Sequence, residues 1–303
     1  MIKKAFFCMC AAACSVGVLS AADKYEKSTK AISKALDGMV TEKPKEKRKL
    51  LVFSVTRGYR HSSIDIGKIT MKLMGEKTGA FEAVVSDDLA NFEPDKINDF
   101  DAICFLNTTM EVFSPAKKQF AKMNGEQKKE AQVREARLKK SLMEYIKSGK
   151  GFVGIHAATD TFYKWPEYGV MIGGYFDGHP WTSKTPVSIK VEDGQEQHSC
   201  CAHLDGKNLN FKEEIYQFKA PYDSKKVHML LRLDPEQTDI SKGKRADKDY
   251  GVSWVKPHGK GRVFYCSLGH NEHIYQNPKV LQHYLKGIQW ALGDLEIDVK
   301  IGK

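Results

Sequence analysis

The chain has 303 residues, 41% hydrophobic and 28% charged. That is enough to bury a full core, which excludes intrinsic disorder, and 24 Gly and 10 Pro exclude collagen-like or low-complexity architecture. Lys and Arg outnumber Asp and Glu by 48 to 38, and the resulting +10 points to acidic surroundings, such as an anionic polysaccharide or a membrane surface.

Residues 1–22 read as a signal peptide. Lys3 and Lys4 form its basic start, Ala5 to Leu19 is apolar and small, and Ser20 and Ala22 suit a signal peptidase. Cleavage before Asp23 predicts an exported protein, periplasmic or extracellular, with no transmembrane anchor left. Lipid attachment at Cys14 is the weaker alternative. Export removes Cys8, Cys10 and Cys14 and leaves Cys104, Cys200, Cys201 and Cys266. An oxidising compartment permits disulfides. However, Cys104 and Cys266 lie in apolar strand-like runs, where a free cysteine is an ordinary core residue. Cys200 and Cys201 are adjacent and would bridge only with strain. No CxxC spacing exists, which argues against a zinc–thiolate site.

Residues 23–49 read as an N-terminal helix and a charged linker. Tyr25 to Met39 is helical, with Ile32 and Leu36 on one side. Thr41 to Lys49 reads as a solvated tether; it lacks the interleaved aromatics of a single-strand binding surface, so no nucleic-acid partner is expected.

Residues 50–293 form the globular domain. Leu50 to Val55 is a strand buried on both faces. A polar loop, Thr56 to Ser63, leads into a helix reaching about Gly75. Ala83 to Val85 and Phe100 to Leu106 are further strands. Met123 to Lys140 is an exposed helical extension. The helix ending at Ser148 buries Leu138, Leu142, Tyr145 and Ile146, and Gly151 to Ile155 follows as a fourth strand. Strands alternating with helices predict a parallel sheet covered on both faces. Beyond it, Val187 to Val191, Ile215 to Phe218, Val227 to Leu233, Val252 to Val255 and Arg262 to Leu268 are strand-like without intervening helices, so the second half adds antiparallel strands. A last helix runs from Pro278 to Leu292, with Asn277 as its cap and Gly293 as its stop. Residues 294–303 are a C-terminal tail.

In an open parallel sheet, sites form beyond the carboxyl ends of the strands. Those ends deliver Arg57, Tyr59 and His61; Asn107; His156 and Asp160; and His270. His179 lies in a nearby Gly-rich loop. Convergent histidines either bind a divalent metal or move protons. Asp160, four residues past His156, is placed to orient that imidazole. The turn around His156 has the setting of a nucleophile elbow with His where Ser or Cys would act, which disfavours glutaminase or serine-hydrolase chemistry. There is no GxGxxG and no Walker motif, so no nucleotide cofactor is expected. Tyr163, Trp165 and Tyr175 belong to an aromatic-rich stretch of the kind that stacks on sugars or holds down its own loop.

The segments VTRGYRHSSI, GFVGIHAATDTFY, GGYFDGHP and YGVSWVKPHGKGRVFYCSLGH resemble the ThuA-like family over residues 50–292. The resemblance implies a flavodoxin-like, class I glutamine amidotransferase-like fold without the amidotransferase cysteine, and a role in carbohydrate metabolism. On it, His61, His156, His179 and His270 match polar site positions, with Asp160 and Glu272 beside them. The segment Val191 to Leu209 departs from the family pattern, with Gln197 to Cys201 where a His-Pro pair often stands. The combined expectation is an exported enzyme acting on a glycoside or keto-sugar, as hydrolase, lyase or isomerase. His156, His270 and Asp160 would be catalytic; Arg57, Tyr59, Asn107, Tyr163, Trp165 and Tyr175 would bind substrate. His61, His156, His179 and His270 would hold one divalent metal, zinc or manganese. The alternative is a non-catalytic carbohydrate-binding or scaffold protein on the same fold.

Overall fold

The computed structural model describes residues 21–302, with side chains from residue 25. The apolar segment expected to be a signal peptide lies outside the described residues. In chain order the elements are α1 (Ala21–Ala35), β1 (Lys49–Phe53), α2 (Ile64–Thr78), β2 (Glu82–Val85), β3 (Ala102–Leu106), α3 (Lys117–Lys122), α4 (Gly125–Lys147), β4 (Gly151–Ile155) and α5 (Pro166–Ile172). There follow β5 (Tyr175–Phe176), β6 (Pro186–Val191), β7 (Leu209–Lys212), β8 (Phe218–Lys219), β9 (His228–Leu233), β10 (Gly251–His258), β11 (Gly261–Cys266) and α6 (Pro278–Leu292).

Nine strands form one sheet in the order β2-β1-β3-β4-β11-β10-β9-β6-β7. The first five are mutually parallel, and the pairs from β11 through β10, β9 and β6 to β7 are antiparallel. Alternation along each strand decides which layer a residue joins. Leu50, Val52, Ala102, Cys104, Val153 and Ile155 enter the core shared with α1, α2 and α6. Leu51, Phe53, Ile103, Phe105 and Phe152 enter the opposite core, shared with α4 and α5. Among the described residues, no helix is long and apolar enough to cross a membrane.

α6 keeps the boundaries read from its cap and stop. Asn277 accepts from the backbone of Lys279 and Val280, and Gly293 closes the helix in the left-handed conformation. α4 begins at a capping box formed by Asn124 and Gln127. Ile215 to Phe218, expected as a strand, contributes only the short β5–β8 ribbon and a bridge from Ile215 to Trp181. This stretch covers the end of the sheet instead of joining it.

The segment read as a solvated tether is bonded to the fold. The Gln282 amide pairs with both backbone groups of Val40 at 2.8 and 2.7 Å, and the Gln289 amide does the same for Glu42 at 3.1 and 2.7 Å. These glutamines lie seven residues apart, two turns along one face of α6, and replace water for an extended backbone. Arg48 adds a forked pair with the buried Asp294. The tail also returns to the sheet: Lys300 donates its backbone N–H to His228 Nδ1 at 2.8 Å.

Cys104, Cys200, Cys201 and Cys266 are all buried and unbridged. Burial pushes the thiols of Cys201 and Cys266 up to about 12, so neither forms thiolate readily.

Candidate metal centre and its cleft

Three parallel strands deliver the histidines. The loop after β1 carries His61, the turn after β4 carries His156, and the loop after β11 carries His270. His156 adopts φ 49°, a left-handed conformation rare for a residue with a Cβ. Gly269 at φ 131° lets the neighbouring loop close over it: a Cβ there would stand 2.8 Å from Tyr275 Oη and 3.4 Å from His156 Cβ.

The His156 ring is held from behind. Its Nδ1 lies 2.7 Å from the Ser267 carbonyl oxygen. A carbonyl only accepts, so Nδ1 carries the proton and Nε2 presents a bare lone pair. His61, His156 and His270 stand roughly perpendicular to one another, with ring centres 4.8 to 5.4 Å apart. Glu214 completes the group. Its Oε1 lies 3.2 Å from His270 Nδ1 and 3.6 Å from His156 Nε2, and its Oε2 lies 3.5 Å from His179 Nδ1. One donor atom each from His61, His156, Glu214 and His270 falls within 4.8 Å of all the others. His61 Nδ1, His156 Nε2 and His270 Nδ1 are buried with no hydrogen-bond partner among the described residues.

Electrostatics keeps two of these imidazoles neutral. Burial, reinforced by His270 and His179, pushes His61 down to about 3. Burial lowers His156 well below its ordinary value, with His61 and His270 adding to the effect. At His270 burial acts the same way, but the Glu214 carboxylate outweighs it and the pKa is raised. Neutral imidazoles and a carboxylate are metal-ligand chemistry.

Glu213 performs a different task from its neighbour. Fully buried, it accepts from the backbone N–H groups of Gly269 at 2.9 Å, His270 at 2.6 Å and Asn271 at 3.1 Å. It thereby clamps the loop that carries His270. Burial raises its carboxyl to about 7 even against these donors.

The cluster opens into a cleft of about 450 Å³ walled by Tyr59, Asp160, Phe176, His179, Ser183 and Tyr216. Tyr59 is exposed and meets His61 edge-on, and Tyr216 packs against His156 at 4.4 Å between ring centres. Asp160 accepts from Tyr163 Oη at 2.5 Å, and burial raises its carboxyl to about 6.

Of the residues expected at a metal, the structure brings His61, His156 and His270 together. His179 stays at the half-exposed mouth, and Glu214 takes the fourth place. Several other expectations need correction. Ser267, not Asp160, orients His156, because a carbonyl on β11's extension reaches the ring while Asp160 is engaged with Tyr163. Asn107 is fully buried and bonds Ser63 Oγ and the Gly269 carbonyl, which makes it a brace rather than a substrate contact. Tyr175 donates to the carbonyls of Phe162 and Trp165, and Trp165 packs against Phe162 and Tyr168, so both hold their own loop. Arg57 and Tyr163 line a separate groove. Of the predicted binding residues, only Tyr59 faces the cleft. Sequence reasoning missed Glu213, Glu214, Ser183 and Tyr216. The adjacent carboxylates Glu213 and Glu214, heading an apolar run, were the available signal.

The ThuA family profile, described as trehalose utilisation, matches residues 49–291. Comparison with curated protein sequences found no match. Among solved structures, a ThuA-like protein from Bacteroides uniformis is 20% identical with a TM-score of 0.56, covering 83% of this chain and 95% of its own. A ThuA-like protein from Parabacteroides merdae is 16% identical with a TM-score of 0.57, covering 85% of this chain and 92% of its own. At these identities the likeness shows the shared fold alone. With the family profile spanning four-fifths of the sequence, from the first strand to the last helix, the chain belongs to the ThuA family.

Proposed function

We propose that the cleft is the active site of a carbohydrate-processing enzyme using one divalent metal, zinc or manganese. The observation that carries this reading is the set of three buried imidazole nitrogens that complete no hydrogen bond among the described residues, gathered around one point with Glu214, which lies 3.2 Å from the His270 nitrogen. A tetrahedral zinc site with bonds of about 2.1 Å separates its donors by about 3.4 Å. The present donors, within 4.8 Å of one another, need only small side-chain adjustments to meet that spacing. His61, His156, His270 and Glu214 would be the ligands. Such an ion, when bound, supplies Lewis acidity at a carbonyl or hydroxyl oxygen.

The remaining residues support sugar chemistry at that point. Tyr59, Phe176 and Tyr216 offer ring faces to the apolar C–H surfaces of a pyranose. Asp160, raised to about 6, holds or releases a proton near neutral pH from the cleft wall. That suits proton transfer at a carbon beside a ketone better than nucleophilic attack. The family's name in sugar utilisation agrees with this reading.

The test is elemental analysis of the purified protein. Stoichiometric zinc or manganese is expected in the wild type and is lost in His156→Ala and Glu214→Gln. The holo protein then turns over glycosides or keto-glycosides in a chelator-sensitive manner. Absence of bound metal in the wild type after metal reconstitution would overturn the assignment.

A further inference from the structure

A second cavity adjoins the cleft. This groove of about 580 Å³ lies between the loops after β1 and β3 and the helices α3 and α4, with Arg57, Met110, Phe120, Ala131 and Tyr163 among its walls. The walls of the two cavities are linked at three places. Arg57 lines the groove, and Tyr59, two residues on, lines the cleft. Tyr163 in the groove donates to Asp160 in the cleft at 2.5 Å. Met110 in the groove donates its backbone N–H to the Asp160 carbonyl at 2.7 Å.

The groove differs from the cleft in chemistry. Most of its charged groups are engaged with one another or with the backbone, while Lys117 and Lys164 stand exposed at its rim. Lys139 pairs with Glu135 at 2.5 Å and reaches Glu111 at 3.5 Å. Glu135 also accepts from Ser114 Oγ, Glu111 accepts from the Lys164 backbone N–H, and Arg57 Nε donates to the Ser114 carbonyl. Lys139 further sits over the rings of Phe162 and Trp165. The apolar surfaces open to a guest are the thioether of Met110 and the rings of Phe120 and Tyr163, each ring also carrying a lysine near it, Lys128 and Lys219. Met110 is 44% exposed and holds φ 63°, so a strained backbone displays a large apolar side chain on the ridge between the cavities. Strain of this kind clusters at ligand-binding and active sites.

We infer that the groove is a subsite for an aromatic group, so that the substrate is a two-part molecule: a sugar in the metal cleft joined to an aromatic aglycone in the groove. The inference rests on the carbohydrate reading of the cleft for its sugar half, whereas the aromatic half stands on the groove alone.

The probes are 2-naphthol, and 2-naphthyl glycosides compared with methyl glycosides of the same sugars. Binding is measured by titration calorimetry on wild type, Ala131→Trp, Phe120→Ala and His156→Ala. The Ala131→Trp side chain projects into the groove from α4, far in sequence from the histidines. Wild type and His156→Ala are expected to bind 2-naphthol equally. Ala131→Trp and Phe120→Ala are expected to lose about tenfold or more. Naphthyl glycosides should bind wild type at least tenfold tighter than methyl glycosides, and Ala131→Trp should abolish that preference. Equal naphthol binding by wild type and Ala131→Trp, no binding by wild type, or loss of binding in His156→Ala overturns the inference. Naphthol binding at the groove by a protein that takes up no metal supports the subsite and overturns the metal-centre reading separately.

Discussion

The chemistry of the site depends on single atoms. His156 Nε2 is a bare acceptor only because Ser267 takes the proton-bearing side of the ring. Glu213 acts one step further back, through the three backbone N–H groups it gathers around His270. Glu213→Gln leaves one oxygen for those donors and turns an amide N–H₂ toward the rest. Unmade hydrogen bonds to a buried charge cost on the order of 1–3 kcal/mol of stability. Since this residue supports a ligand loop, metal affinity should also fall roughly 10–100-fold. Competition with a chromophoric chelator measures it, and unchanged affinity in a folded Glu213→Gln protein would leave Glu213 with a merely structural role. The histidines were legible because the ends of parallel strands are where sites form. Asn107 and Tyr175 occupy equally suggestive positions, but sequence does not reveal that their polar atoms are consumed internally. Glu214 was overlooked for a different reason: the carboxylate pair marks it in sequence, but it follows β7, the outermost strand, and reaches the centre only through the loop that folds back over the sheet.

Among the elements, α6 shows how far local signals carry. Its buried side presents Leu281, Tyr284, Leu285 and Ile288 to the sheet, at the spacing of a helical stripe. Asn277 supplies the two bonds that begin it, at 3.0 and 3.3 Å, ahead of Pro278 at the first helical position. Asn277→Ala should therefore cost about 1 kcal/mol in urea unfolding, and a change within error would mean that packing alone positions the helix start. What sequence could not show is that α6 has a second client. Gln282 and Gln289 look like solvent-facing amides in the periodicity, yet they bind the backbone of the N-terminal segment. A glutamine's reach to a distant backbone leaves no trace in hydrophobic pattern, which is why residues 41–49 read as a tether.

At the scale of the whole molecule, buried neutral histidines tie stability to pH. His283 is fully buried, bonding Ser253 Oγ at 2.8 Å and the Cys200 carbonyl at 2.8 Å, and burial pushes it down to about 3. The unfolded chain takes up that proton near pH 6.5. Between these values the unfolded state binds more protons, so stability falls as pH drops below about 6.5 and keeps falling toward 3. For this group alone the loss from pH 7 to pH 5 is about 2 kcal/mol. Urea unfolding at both pH values should show His283→Gln losing that much less than wild type; an identical loss would mean that other groups set the acid sensitivity.

The sheet's composition has a consequence for assembly. Its parallel half brings His61, His156 and His270, while Glu213 and Glu214 arrive from the antiparallel half at the far edge. The four candidate ligands are spread over 210 residues, from 61 to 270. No contiguous fragment shorter than that holds all of them, and neither half of the sheet contains a full set. A newly made chain thus acquires the complete centre only after its most distant strands have docked. Metal uptake would accordingly report that folding has finished, and a chain truncated anywhere in between would lack at least one of the candidate ligands.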